Sequence, residues 1–267
     1  MPISTPASAA NVPAPPARYA PNHPWDRNFH LAIIALAWLG ILRGFGGDIV
    51  DHITQHRQAY PFIVHVHAAV FVAWLALFTV QIYLVRGRRL AAHRRLGFGL
   101  AWLAGLMAIL GPATALTVQH LRLVNHWEVI PPVDLPQFIS VQFTDIIAFV
   151  ALTAAGILYR NEPAAHKRLM LLGTLYITDA GFARWLAPGW NALLGPGFWP
   201  FWVASYFGPA VLVALVGIYD LATRRRLHPA YVAGAAWVFG IQLLATALFF
   251  SPGWAVWARR IIAAWPW

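Results

Sequence analysis

The string AAHRRL at residues 91–96 recurs almost unchanged as AAHKRL at residues 164–169. Each copy follows a long apolar run that ends in arginine, and each copy opens another apolar run. The chain therefore contains a duplicated unit made of a membrane helix, a short basic loop with one histidine, and a second membrane helix. A degenerate third copy, RRRLHP at residues 224–229, precedes the last long apolar run. This pattern predicts an all-α membrane protein built from repeated helical hairpins.

The composition supports this fold class. The chain has 267 residues, of which 60% are hydrophobic and 10% charged, and its mean hydropathy is +0.59, whereas soluble domains carry about 25% charged residues. Apolar runs of about 20 residues are long enough to cross a bilayer. We therefore predict seven transmembrane helices, which lie at residues 29–46, 61–86, 96–118, 137–159, 167–187, 200–222 and 230–250.

The basic residues predict the orientation of the chain. Its formal net charge is +10, and 13 of the 19 Lys and Arg residues lie in the N-terminal 27 residues and the loops 86–95, 160–168 and 224–226. The positive-inside rule explains this clustering, so we predict the lipid bilayer, and no nucleic acid, as the partner of these charges. The prediction is a bacterial inner-membrane protein with a cytoplasmic N-terminus and a periplasmic or exterior C-terminus.

The predicted domain organisation has three parts. Residues 1–27 are rich in Pro and Ala, which is typical of a disordered tail. Residues 28–252 form the seven-helix transmembrane domain. Residues 253–267 are rich in Trp and Arg, so we expect a short amphipathic helix at the outer membrane interface. Within the transmembrane domain, the hairpins 61–118 and 137–187 are expected to be parallel repeats, and residues 200–250 are a possible third copy.

Ionisable residues inside the apolar runs are candidates for function, because each needs a partner or a role in the bilayer. We expect Asp145, Asp179 and Arg184 to meet at one depth in the outer half, with Arg43 or His67 as further members. Such a group is suited either to catalysis or transport, or to a purely structural ion-pair network.

Histidines supply two candidate cofactor sites. In the outer half, His67, His65, His52 and His120 are candidate ligands for Fe, Cu or Zn. On the basic side, His93 and His166 occupy equivalent repeat positions and are candidates for bis-histidine ligation of haem b. The absence of Cys excludes thiolate metal sites, iron–sulfur clusters and Cys-attached haem. The alternative for the basic-side pair is structural, through contacts to lipid phosphate or loop carbonyls.

Two segments resemble a known family. The segment that runs from His67 through Trp74 to HRRLG at residues 93–97 is similar to the first half of the bacterial DUF2306-type predicted membrane proteins. HKRLM at residues 166–170, followed by Asp179 and Arg184, resembles the second half. The resemblance covers roughly residues 60–190 and implies a multi-pass bacterial membrane protein, without an activity. The paired histidines are also loosely similar to cytochrome b561-like electron carriers.

Three functions are compatible with these features. The leading hypothesis is a haem- or metal-binding membrane oxidoreductase or electron carrier, which would exchange electrons with a redox partner or a quinone. The second is a small-molecule or proton-coupled transporter whose cavity is lined by Asp145, Asp179 and Arg184. The third is an assembly or interaction subunit that uses residues 253–267 as its contact. The sequence leaves open whether the chain is an enzyme.

Overall fold

The computed structural model describes residues 19–55, 59–125 and 135–266. Within these ranges every regular element is helical, and a short 3-10 turn, Pro136–Phe138, leads into the fourth α-helix. The nine α-helices are α1 (Asp26–Thr54), α2 (Phe62–Arg86), α3 (Leu90–Asn125), α4 (Ile139–Leu158), α5 (Pro163–Tyr176), α6 (Asp179–Leu194), α7 (Phe198–Arg224), α8 (Pro229–Phe249) and α9 (Pro252–Ala263).

Six of these helices, α1, α2, α3, α4, α7 and α8, are long and apolar enough to cross a membrane. They coincide with six of the seven predicted spans. Large apolar side chains such as Trp102, Ile109 and Phe98 are 69–72% exposed on the outside of the bundle. Such a surface fits a lipid environment, and the all-helical membrane fold predicted from hydropathy is confirmed.

The fifth predicted span, 167–187, is not one helix. The backbone leaves helical geometry at Ile177 and Thr178, so that α5 has 14 residues and α6 has 16. The Thr178 hydroxyl donates to the carbonyl of Leu175 at 2.6 Å, a local bond that competes with the helical ladder. Asp179 then begins a new helix at this point.

Glycines bring α6 against α1. Gly40 and Gly44 are spaced as a GxxxG motif on α1, and both lie against the backbone of α6 or its first-turn side chains. The Gly181 carbonyl directly faces Gly44, and the ring of Phe182 fills the space between Gly40 and Gly208 of α7. Small residues let membrane helices approach this closely, and the crossing fixes where α6 begins.

The spanning helices alternate in direction. Arg86 at the end of α2 bonds the backbone of Arg27 at the start of α1 at 3.2 Å, and Arg224 at the end of α7 pairs with Asp26 there. We call this end of the bundle, where α1, α3, α5 and α8 begin, the basic end. The other end is called the opposite end.

The last helix, α9, packs at the opposite end. Ala258 and Ile262 are fully buried against Leu116 of α3 and Ile139 of α4, while Trp257 is 59% exposed. The predicted helix at residues 253–267 is therefore present as an amphipathic segment. Its position at a membrane interface stays a prediction.

Candidate functional site

Two aspartates meet inside the bundle at the break between α5 and α6. Asp145 lies near the start of α4, and Asp179 is the first residue of α6. Their carboxyl groups are in side-chain contact, close enough for a hydrogen bond. Asp179 is 5% exposed, and Oδ1 of Asp145 is enclosed. Among the described residues, neither carboxyl group forms an ion pair with a cationic side chain.

The break in the helix favours a negative charge on one member of this pair. Asp179 is the first residue of α6, so its carboxyl group lies beside the backbone N–H groups at the start of this helix. These are first-turn N–H groups of α6, which carry the positive end of the helix dipole. Two charged carboxylates in contact would repel each other strongly away from water. The arrangement therefore suits one charge and one shared proton.

Two tyrosines extend the polar region into the core. Tyr176 and Tyr206 are both fully buried, and their rings stack with centroids 6.4 Å apart. The Tyr176 hydroxyl lies next to the carboxyl group of Asp145. Neither hydroxyl has a hydrogen-bond partner of good geometry in the described ranges. Buried hydroxyls normally have such partners. The Tyr176 and Tyr206 hydroxyls can therefore each take part in a further hydrogen bond.

Arg184 does not join the two aspartates in an ion pair. It is exposed, its Nε lies 3.7 Å from Oδ2 of Asp48, and its guanidinium lies over the ring of Phe45. Arg43, predicted as a further member, lies over the Trp185 ring instead. The predicted network is therefore reduced to its two carboxyl groups, because one turn of helix carries Arg184 away from Asp179 toward α1.

The four outer histidines are dispersed. His52 stacks on Tyr60 with ring centroids 4.3 Å apart, and His65 is exposed on α2. His67 stacks on Phe71 at 4.0 Å, and Nδ1 of His120 bonds the carbonyl of Ile262 at 2.9 Å. In the described part of the chain, no three His, Asp or Glu side chains are placed to hold one metal ion. The predicted outer metal site therefore gains no support from the geometry.

The two repeat histidines do come together. The rings of His93 and His166 are 6.2 Å apart between centroids, at an angle of 86°. Nδ1 of His166 bonds the carbonyl of Gly156, in the last turn of α4, at 2.7 Å. Equivalent positions in the two hairpins thus meet at the basic end of the bundle.

A second polar cluster, missed by the sequence analysis, closes the basic end. Arg168 of α5 donates through Nε and Nη2 to the two carboxylate oxygens of Asp220 on α7, at 2.7 and 2.5 Å. Both side chains are almost completely buried, at 4% and 2% exposure. A planar guanidinium matches a carboxylate in this bidentate way. The pair ties α5 to α7.

Asp26 completes the cluster. Its carboxylate accepts from Arg224 at 2.9 Å, from Lys167 at 2.6 Å and from the Tyr219 hydroxyl at 2.7 Å. It therefore joins the start of α1 to α5 and α7. Each carboxylate of the cluster thus has cationic partners, which avoids the larger cost of a buried charge without a partner.

The segment that precedes α1 lies over this cluster. The Tyr19 oxygen accepts from Nη2 of Arg168 at 2.6 Å, and its ring faces the guanidiniums of Arg168, Arg224 and Arg226 at 4.8–5.6 Å. Burial raises the pKa of Tyr19 to about 12, so the phenol stays neutral. Within the predicted tail 1–27, residues 19–25 thus form a strap over the cluster and residues 26–27 already belong to α1, while residues 1–18 lie outside the described residues.

Part of this cluster was visible in the sequence. Asp220 lies within the predicted span 200–222, so the rule that every intramembrane acid needs a partner applies to it as it does to Asp145. The basic partners, Arg168 and Arg224, were attributed entirely to topology. No local pattern marks Tyr19 or Asp26, because their roles arise only when α1, α5 and α7 converge.

Comparison with family models, with curated proteins and with solved structures finds no significant match for this chain. The resemblance to the DUF2306-type proteins therefore stays a prediction, and the functional argument rests on the geometry of the two polar clusters.

Proposed function

We propose that this chain is a membrane carrier that couples the movement of a small solute to a proton, and that Asp145 and Asp179 carry the proton. The observation behind this proposal is the contact between two enclosed carboxyl groups that have no cationic partner in the described ranges. Ionisable groups are costly inside a membrane, so an acid pair of this kind is a functional site by default.

The two carboxyl groups have different environments, so we assign the negative charge to one of them and the proton to the other. Asp179 lies at the N-terminus of α6, where the positive end of the helix dipole favours a negative charge. Oδ1 of Asp145 is enclosed and unpartnered in the described structure, so a negative charge on this carboxyl group is poorly stabilised and we place the shared proton on Asp145. Tyr176, whose hydroxyl lies next to Asp145, would relay that proton from the core.

The break beside the pair supports a carrier. We infer that α5 and α6 together form a seventh, discontinuous crossing, which restores the predicted seven spans. Discontinuous helices place their ends and loosened backbone at the binding sites of secondary transporters. The proposal retains the predicted orientation, with the basic end in the cytoplasm and the protein in a bacterial inner membrane.

The contacts at the two ends indicate which side is closed. The strap and the pairs made by Asp26 and Asp220 seal the basic end. At the opposite end, the contact between Arg184 and Asp48 is longer, at 3.7 Å, and partly exposed. The carrier account therefore places solute entry at the opposite end in this conformation, with the basic-end pairs breaking for release.

Proton movement in liposomes tests this function. The purified chain is reconstituted with a pH-sensitive dye inside, and a potassium gradient with valinomycin sets the membrane potential. The account predicts wild-type proton flux above that of empty vesicles, and loss of the flux in Asp145→Asn and Asp179→Asn. The exposed Asp51 on the same side gives the control Asp51→Asn, which should retain the flux. Wild-type flux no higher than that of empty vesicles, or equal flux in all variants, contradicts it.

The oxidoreductase hypothesis, with haem b or with Fe, Cu or Zn, stays a prediction. A visible absorption spectrum of the purified chain tests the haem part of it directly. The contacts of the outer histidines do not favour the metal hypothesis. The alternative of an assembly subunit that uses α9 as its contact is also a prediction.

A further inference from the structure

The two copies of the duplicated string use their basic pairs differently. In the second copy, the Lys–Arg pair at 167–168 is bonded to the carboxylates of Asp26 and Asp220. The equivalent residues of the first copy, Arg94 and Arg95, are exposed, and within the described ranges neither side chain has an ion pair or a hydrogen bond. The whole chain has nine acidic residues against 19 basic ones, so it cannot give each cation a carboxylate of its own.

The turn between α2 and α3 adds two more exposed cations, Arg88 and Arg89. The turn is held by its backbone, because the N–H of Arg89 donates to the carbonyl of Leu84 at 2.8 Å. Neither arginine side chain has an ion pair in the described part of the chain. The equivalent turn of the second repeat contains an acid, Glu162, whereas residues 88–95 contain four exposed arginines and no acid.

An exposed apolar stripe runs along α3 from these cations toward the opposite end. Phe98, Trp102 and Ile109 are 70, 72 and 69% exposed. Spacings of four and seven residues place all three on the side of the helix that carries Arg95. The rings of Phe98 and Trp102 are in edge contact, with centroids 6.4 Å apart. Between Trp102 and Ile109, Gly105 faces open space, so the stripe has a shallow notch into which a hydrocarbon chain can pack.

The length of the stripe matches one leaflet of a bilayer. From Phe98 to Ile109 the helix rises about 16 Å, and half of a hydrocarbon core is about 15 Å thick. The arginines therefore lie at the depth of the lipid headgroups. A guanidinium can donate two parallel hydrogen bonds to a phosphate. A zwitterionic lipid brings its own ammonium group, which offsets the phosphate charge, so the arginine cluster favours a phospholipid with a net negative charge.

We propose that this face of α3 binds an anionic phospholipid from the leaflet at the basic end. Arg94 and Arg95, with Arg88 and Arg89, hold its headgroup phosphate, and the apolar stripe holds an acyl chain. The lipid does for the first hairpin what Asp26 and Asp220 do for the second, because it supplies the anion that the basic pair of the repeat requires. The proposal goes beyond the carrier function and does not depend on it.

Native mass spectrometry of the full-length chain measures this binding. The delipidated protein is titrated in detergent with phosphatidylglycerol and, separately, with phosphatidylcholine of the same acyl chains. We expect wild type to bind the first phosphatidylglycerol at least about 5-fold more tightly than phosphatidylcholine. The double variant Arg94→Gln with Arg95→Gln should lose this preference. The matched control is Arg259→Gln with Arg260→Gln, which also removes two adjacent exposed arginines and should keep it.

Inorganic phosphate separates the lipid from a free anion that has the same headgroup chemistry. An excess of phosphate should leave phosphatidylglycerol bound to wild type, because the stripe contributes through the acyl chain. Displacement of the lipid by phosphate would show that the arginines form a site for a free anion, and this would overturn the proposal.

Photolabelling of the wild-type protein keeps the test decisive if the double variant fails to fold. The chain is placed in phosphatidylcholine vesicles that contain a small share of phosphatidylglycerol with a photoactivatable acyl chain. Labelled peptides should cover residues 98–109, and added phosphatidylglycerol should reduce their labelling. Labelling elsewhere only, wild type without a preference for phosphatidylglycerol, an undiminished preference in the Arg94 and Arg95 variant, or an equal loss in the control would each overturn the proposal.

Discussion

Gly44 of α1 lies directly against the backbone carbonyl of Gly181 in α6, so that a side chain at either position would displace the other helix. This contact sets the place where α6 begins, and with it the position of Asp179 at the first turn. The acid pair therefore depends on a close crossing of two backbones.

Replacing Gly44 tests this crossing. Gly44→Val forces a branched side chain into the Gly181 backbone, and overpacking of this kind typically costs about 1–3 kcal/mol. Gly46→Val is the control, since no atom lies within 4 Å of a Cβ at Gly46 and the helix-propensity change is the same. Thermal unfolding in detergent should show a lower midpoint for Gly44→Val only. Equal midpoints for the two variants would show that the crossing is not tightly packed.

The buried pair between Arg168 and Asp220 should be essential to stability at the basic end. Asp220→Ala leaves an unpaired buried guanidinium, and breaking such a pair typically costs about 3–5 kcal/mol. The double variant Arg168→Met with Asp220→Leu should be less destabilised than Asp220→Ala alone, because no charge is then stranded. Arg160→Ala removes an exposed arginine and serves as the control. If the double variant were less stable than Asp220→Ala, an unpaired buried charge would not be the cause of the destabilisation.

The strap gives a prediction for backbone exchange. Tyr19→Ala removes the ring that covers three guanidiniums and the oxygen that accepts from Arg168. Deuterium uptake of peptides covering residues 19–26 should therefore become faster. Trp25→Ala changes a side chain that is 64% exposed in the same segment and should leave uptake nearly unchanged. Identical uptake in Tyr19→Ala and wild type would mean that the strap is held elsewhere.

His228 predicts a pH effect at the start of α8. Burial, aided by the nearby Arg168 guanidinium, lowers its pKa from 6.5 in spite of Glu162 and Asp220, so the unfolded chain binds the proton more readily. The stabilisation by neutral His228 is complete above about pH 6.5 and is lost as the pH falls toward the lower folded pKa. Its Nδ1 accepts from the N–H of Ala230 at 3.1 Å, its Nε2 lies 3.5 Å from Glu162, and the Tyr19 ring packs edge-on at 4.6 Å.

His228 is the N-cap residue of α8. In the variant His228→Asn, the side chain can still accept a hydrogen bond at the start of the helix, but it does not titrate. The unfolding midpoint of wild type should fall more than that of His228→Asn between about pH 7.5 and pH 5.5. The same fall in both proteins would assign the pH dependence to other groups.

Hydropathy predicted six of the spanning helices well, because bilayer thickness fixes their length. It did not predict the break in the span 167–187, since the break depends on Thr178 bonding back to Leu175 and on Gly181 meeting α1. Neither contact has a hydropathy signature. The repeat string did place His93 and His166 together, because duplicated hairpins put equivalent residues at one depth.

The candidate site was only partly accessible from sequence. Asp145 and Asp179 were identified by the cost of burying acids in a bilayer, and their contact follows from the packing of α4 on α5. Arg184 was assigned to the same group by depth alone, although its direction around α6 turns it toward Asp48. The depth of a residue along a membrane helix can be counted from the sequence. The direction in which its side chain points around the helix axis has a meaning only when the neighbouring helices are known.

The central claim is that Asp145 and Asp179 hold an exchangeable proton, and infrared difference spectroscopy of the reconstituted protein measures this most directly. On a change of pH, the account predicts a carboxylic-acid carbonyl band in wild type that is lost or shifted in both Asp145→Asn and Asp179→Asn and unchanged in Asp51→Asn. A wild-type spectrum with no such band, or a band unaffected by both substitutions, would contradict it.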